Sequence, residues 1–305
     1  MWLYCAIFGY VSLAVVGILD KFILSNEKVK PIVLVFYSTV FAAPVLLAIP
    51  FGVRLLENTS WPLALVAGLS YSLALYTMFK GYEESEVSHV GPLLGAAIPF
   101  FVLLLSSFFL EEEITKRQLV ATAVLIAGCL VISFERSKLH HGWHRGMIWG
   151  LAAGVFFSFF HVIAKYIYVQ VGFFSGFVWI WGAMGLTGLA LLLSPTARQY
   201  IFGTDHKPMR KKPTKPVTPH KVAIIIVNRL LSVIGVVLIQ VAVSQGSVSL
   251  VNALNGLQYG ILIILVALFS KFFPKMFRED YATGEILQEA IAVVLIAVGL
   301  GLLLT

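Results

Sequence analysis

Charge is what this sequence has least of. Only 12% of its 305 residues are Asp, Glu, Lys or Arg, about half the share of an average soluble domain. No long polar stretch occurs either, which excludes a soluble enzyme, a nucleic-acid binder, a disordered chain and one anchor carrying a large soluble domain. Cysteine is nearly absent: Cys5 and Cys129 lie inside apolar runs without metal-ligand spacing and carry no information on redox compartment. The first apolar run, at Met1-Trp2-Leu3, has no basic n-region before it and no small-residue cleavage site, so a retained span is expected rather than a signal peptide. There is no His-Glu-x-x-His, no Gly-x-Ser-x-Gly and no Walker-type loop. ATP-driven transport by this chain alone is thereby excluded, and no cofactor or metal is implied.

What fills the chain is apolar: 59% of residues are hydrophobic and the mean hydropathy is +0.92. At about 20 residues per crossing, ten crossings would use about 200 residues and leave about ten for each connection. Runs at 2–24, 31–51, 61–80, 87–110 and 117–134 are followed by runs at 145–168, 172–194, 221–243, 248–270 and 285–304. A backbone in lipid must satisfy itself as helix or closed barrel, and these runs lack the alternation of barrel strands. An all-α membrane protein of ten transmembrane helices is expected. Residues 195–220, with Lys207, Arg210, Lys211, Lys212 and Lys215 among Pro208, Pro213, Pro216 and Pro219, are expected to form a solvated basic loop.

The formal charge of +7 belongs to that loop set rather than to a nucleic-acid surface, because no aromatics interleave the basic run at 207–221. If connections alternate sides, 16 basic residues fall on one side and only Arg54, Lys116 and Arg117 on the other. The positive-inside rule then predicts a multi-pass protein of the plasma or inner membrane with cytoplasmic basic loops and both termini outside.

The registers suggest a duplication. Ile18-Leu19-Asp20-Lys21 lies over Val162-Ile163-Ala164-Lys165 at an offset of 144, Leu93-Leu94-Gly95 over Leu254-Asn255-Gly256 at 161, and Leu125-Ile126-Ala127-Gly128 over Ile296-Ala297-Val298-Gly299 at 171. Five spans per copy is an odd number, so the copies would be inverted: residues 1–138 as one five-helix repeat and 139–305 as the other. Inverted repeats with a site at their interface are a signature of secondary transporters.

The run from Ile98-Pro99-Phe100 through Leu110-Glu111-Glu112-Glu113-Ile114-Thr115 to Ile126-Ala127-Gly128 resembles the fourth-to-fifth-span signature of EamA-type transporters of the drug/metabolite transporter superfamily. In that comparison Glu112 takes the place of the turn glutamate, Glu111 replaces the usual glycine and Glu113 the arginine. The second copy departs, with Gly260 in the place of Pro99 and an expanded turn at 271–280. The resemblance implies two five-span EamA-like units and export or exchange of metabolites, without naming one. Many family members are drawn with cytoplasmic termini; the charge count of this chain says otherwise.

Ionisable groups inside spans are costly and are functional hypotheses by default. Arg229 lies about 12 Å inside the eighth run by helical rise, beside Asn228, where a guanidinium could clamp a carboxylate or phosphate or else snorkel to its helix end. Lys21 and Lys165 occupy equivalent positions, and His161 lies one turn before Lys165; these three are candidates for ion coupling. In the ninth run Asn252, Asn255, Gln258 and Tyr259 make a polar stripe that either glues helices or lines a wet cavity, and Tyr71 is a weaker binding candidate. His140, His141 and His144 lack carboxylate support for a metal site. The function expected is secondary transport of a small polar or amphipathic metabolite, not enzymatic catalysis. A lipid-active membrane enzyme would need paired carboxylates or a nucleophile–base pair, and a non-transporting scaffold a dry bundle. Expected partners are a small-molecule metabolite and the lipid bilayer, with no nucleic acid; a homodimer is left open.

Overall fold

Apolar segments that cannot donate their backbone groups to water fold into helices that satisfy those groups internally. The computed structural model describes residues 1–26, 30–84, 87–133, 145–202, 219–272 and 283–304. Twelve α-helices occur among them: α1 (Trp2–Asn26), α2 (Pro31–Val40), α3 (Ser60–Glu84), α4 (Val87–Phe109), α5 (Lys116–Ser133), α6 (Arg145–Val171), α7 (Phe173–Ala190), α8 (Pro195–Phe202), α9 (Pro219–Gln245), α10 (Val248–Ala253), α11 (Asn255–Phe272) and α12 (Thr283–Leu304). No strand occurs among the described residues. Eight of the helical segments among them are long and apolar enough to cross a bilayer, and Ala290–Leu303 is a shorter apolar helix. The chain is a multi-pass, all-helical membrane protein.

Three segments differ from the sequence expectation. The run at 31–51 is two pieces, because α2 stops at Val40 and the chain continues as a 3-10 helix over Ala43–Phe51. Pro44 supplies no N–H to continue the α ladder, and Gly52, at φ +89°, ends the segment. The run at 248–270 is also broken, with Leu254 between α10 and α11. The expected loop at 195–220 begins as helix α8: Pro195 stands at its first position, where a missing N–H costs nothing, and no other proline follows before Pro208. Ala197 and Ile201 of α8 are buried with Phe36 of α2. The rest of that loop, the His140–His144 cluster and the expanded turn at 273–280 lie outside the described residues.

The surface is the reverse of a soluble protein's. Large apolar side chains such as Phe108, Leu193 and Val233 face outward, while helix contacts are made by small residues. A Cβ at Gly68 of α3 would lie 2.6 Å from the backbone nitrogen of Met184 in α7. One at Gly9 of α1 would stand 3.0 Å from the Gly235 carbonyl of α9, and one at Gly235 3.1 Å from the Gly9 carbonyl. Helix α3 packs on α6 and α7, α1 on α9 and α11, α5 on α12, and α4 sits among α5, α6, α10 and α11. Their shared core gathers Leu94 and Ile98 of α4, Phe160 and Ile167 of α6, Ile180 of α7, Ile239 of α9, Val251 of α10 and Leu254.

The two ends of the bundle are chemically distinct. At one, Lys30 and Lys80 both pair with Glu83 at 2.9 Å, Lys80 reaches Glu84 at 3.2 Å, and the Trp149 indole N–H donates to Glu84 at 3.0 Å. These pairs are partly exposed and add little stability. At the other end Arg54 is bound through its backbone, its N–H to Ser175 Oγ and its carbonyl accepting from Trp179 Nε1.

Candidate functional site

Polar atoms at the middle of a membrane bundle need partners, and several here have none among the described residues. Tyr71, near the midpoint of α3, is half-buried in an aromatic cluster: its ring centroid lies 4.7 Å from Phe160, 5.5 Å from Phe157 and 5.5 Å from Trp181, which stacks on Phe177 at 5.0 Å. Its hydroxyl makes no hydrogen bond among the described residues, and the Trp181 indole N–H is a buried donor without an acceptor. The same holds for the hydroxyls of Tyr10 on α1 and Tyr259 on α11, and for the Asn255 amide, although these three side chains are buried. Gln258, also without a partner there, is half-buried.

Local sequence explains how Tyr259 enters the bundle. Its ring lies against Gly91 and Gly95 of α4, and a Cβ at Gly91 would come within 2.9 Å of its Cε1. Two glycines one turn apart open a groove for one aromatic ring. The Tyr259 hydroxyl lies within electrostatic range of those of Tyr10 and Tyr82, and of the Cys129 thiol. Tyr10 of α1, Tyr82 in the last turn of α3 and Tyr259 of α11 therefore lie near one another, while Tyr71 belongs to the separate aromatic cluster with Phe157, Phe160 and Trp181. On α10, Asn252 turns its amide N–H back to the Val248 carbonyl at 2.9 Å and leaves its oxygen sealed without a partner.

The remaining sequence candidates fall into different surroundings. His161 of α6 is buried against Phe160, ring centroids 5.0 Å apart, with Nδ1 unpartnered. Lys165 donates to the carbonyls of Gly246 at 2.7 Å and Ser244 at 3.2 Å, at the C-terminal end of α9. Cations suit that end of a helix. Asn228 is fully buried, whereas Arg229 is exposed on the side of α9 that carries Val227, Leu230, Val233 and Ile234. That placement fits snorkelling better than an interior clamp. The side chain of Lys21 lies outside the described residues.

Sequence reading passed over Tyr10 and Trp181, single aromatics in apolar helices. It also passed over a buried pair, Tyr168 hydroxyl to Gln240 Oε1 at 3.0 Å, joining α6 to α9. Gln240 was a usable signal, an isolated amide in an apolar run. A second network joins Ser106 of α4, Ser249 of α10 and Glu112 of the α4–α5 turn, with oxygens 2.5 and 2.6 Å apart.

Residues 1–134 match the EamA-like transporter family, which belongs to the drug/metabolite transporter superfamily. A solved crystal structure has a similar fold, with a TM-score of 0.65 over 98% of this chain and 96% of that chain. Its 15% identity makes the likeness one of fold alone. None of the curated proteins matches the chain.

Proposed function

We propose that this chain, an EamA-like transporter unit over residues 1–134, is a secondary transporter that moves a small polar or amphipathic metabolite by alternating access. One observation supports the reading: the hydroxyls of Tyr10 on α1 and Tyr259 on α11 and the amide of Asn255 are buried in the bundle with no hydrogen-bond partner among the described residues. An unpartnered polar group in that setting is costly, and water or a bound solute would relieve it. Tyr10, Tyr71, Asn255, Gln258 and Tyr259 are the binding residues in this scheme, with His161 and Trp181 at the aromatic side. Asn252, Asn228 and Arg229 are kept as secondary candidates, and His161, Lys21 and Lys165 as candidates for ion coupling.

The architecture in this scheme is ten spans in two inverted five-helix units, 1–138 and 139–305, with the broken helix α10–α11 counted as one span. Reciprocal packing supports it. A Cβ at Gly128 would meet Ile296 at 2.9 Å and the Ala292 carbonyl at 3.2 Å; one at Gly299 would meet Leu125 at 2.7 Å and the Ala121 carbonyl at 3.1 Å. All three pairs are related by the offset of 171. The α3–α6 contact likewise has its counterpart in α1–α9, and α4–α6 in α1–α11. The basic connections are assigned to the cytoplasm of a plasma or inner membrane.

Counterflow in proteoliposomes against a broad metabolite panel tests the function. Saturable exchange of at least one solute is expected, slowed about tenfold or more by Asn255→Ala, the factor equivalent to one lost hydrogen bond of about 1.4 kcal/mol. No exchange of any panel member by correctly inserted protein would overturn the reading.

A further inference from the structure

The turn between α9 and α10, Gly246-Ser247, and the start of α10 are held by groups from α1, α4, the α4–α5 turn and α6. On its α9 side Lys165 of α6 donates to the Ser244 and Gly246 carbonyls. On its α10 side Glu112 Oε2 accepts from the Ser249 hydroxyl at 2.6 Å and from the Ser249 N–H at 3.3 Å. Lys165 and Glu112 are within electrostatic range of each other across the turn. The Ser249 hydroxyl also lies 2.5 Å from that of Ser106, one turn before the end of α4. From α1, Trp2 closes over the glycine, where a Cβ would lie 2.8 Å from its ring. A cation at the end of one helix and an anion at the start of the next each match the local dipole.

What this grip holds is a short element with a break at each end. Helix α10 is six residues long, with Gly246-Ser247 before it and Leu254 after it. Just beyond that second break stands Asn255, the first residue of α11, a buried amide without a hydrogen-bond partner among the described residues. The strain sits on the gripping side: Glu111 has φ +50°, a left-handed conformation that a non-glycine residue adopts at a cost, and it sets Glu112 beside α10.

We propose that Glu112 and Lys165 are positioning residues that latch α10 against α4 and α6, and that release of this latch opens the mid-bundle site to the membrane face bearing Glu111–Glu113. The proposal rests on the transporter reading for its purpose, but its test does not require a known substrate. The full chain, carrying Cys5→Ser and Cys129→Ala, receives one reporter thiol through Asn255→Cys. A membrane-impermeant maleimide is then applied from the Glu112 face of sealed vesicles. Labelling is expected to be about tenfold faster with Glu112→Gln or Lys165→Met, the shift equivalent to one charge-assisted hydrogen bond. Unchanged rates in both variants would overturn the latch.

A second route covers the case in which those variants fold poorly. Ser106→Cys with Ser249→Cys, oxidised to the disulfide, should slow labelling of the reporter about tenfold or more relative to the protein carrying the reporter thiol alone. A crosslinked protein that labels as fast as the protein carrying the reporter thiol alone would overturn the proposal. Labelling that responds to both manipulations in a protein that exchanges no solute upholds the latch and removes the transporter reading instead.

Discussion

Glu111 stands at φ +50° where the EamA-like signature has glycine. The left-handed penalty of about 1–2 kcal/mol exceeds the extra chain entropy of glycine, about 0.5–1 kcal/mol. Glu111→Gly is therefore expected to stabilise the fold by up to about 1 kcal/mol, read as a higher unfolding midpoint of the detergent-purified protein. Tyr259 separates packing from function within one side chain. Tyr259→Phe keeps the ring in the Gly91–Gly95 groove and removes the hydroxyl, so counterflow should fall while the unfolding midpoint stays. Gly91→Ala should do the opposite and lower the midpoint, because the new Cβ would press on the ring. At this scale the sequence exposed Tyr71, Asn255 and Tyr259 as polar groups in apolar helices. Arg229 shows where such reading stops: neighbours on a helix point about 100° apart, so Asn228 can be buried and Arg229 exposed. Only the packing of α9 on α1 decides which is which.

Between helices, close approach is written in small residues. Gly299→Val on α12 would drive a branched side chain into Leu125 and the Ala121 carbonyl of α5. A loss of about 1–3 kcal/mol is expected, seen as a lower unfolding midpoint, whereas Gly301→Ala, with open space at its Cβ, should be neutral. The apolar runs marked most helices to within a few residues, since length and hydropathy are imposed directly by the bilayer. Breaks were harder to see. The stop before Pro44 is hidden inside a continuous apolar run. The interruption at Leu254 carries no proline, and its N–H turns back to the Asn252 and Leu250 carbonyls, a local tightening that composition does not announce. In α8 the density of proline misled, because position rather than number decides: proline at the first turn starts a helix.

For the molecule as a whole, the proposed orientation rests on the one-sided basic loops. Thiols introduced by Thr196→Cys and Asn58→Cys, both at exposed sites, should label from opposite faces, with the Thr196 site reached only from the cytoplasm. Labelling of that site from outside intact cells would reverse the assignment. The proposed duplication rests on a steady drift of register in the sequence, whereas the meeting of Tyr10 with Tyr259 was not legible there, because it depends on the crossing of α1 and α11. Chain order adds a consequence to the grip on Gly246-Ser247. Trp2, Glu112 and Lys165 all precede that turn in the chain, so during synthesis its seat is complete before it emerges. The last fifth of the protein therefore docks onto a prepared surface, and damage to that seat would be felt first as faulty maturation of α10 to α12, downstream of where the mutation lies.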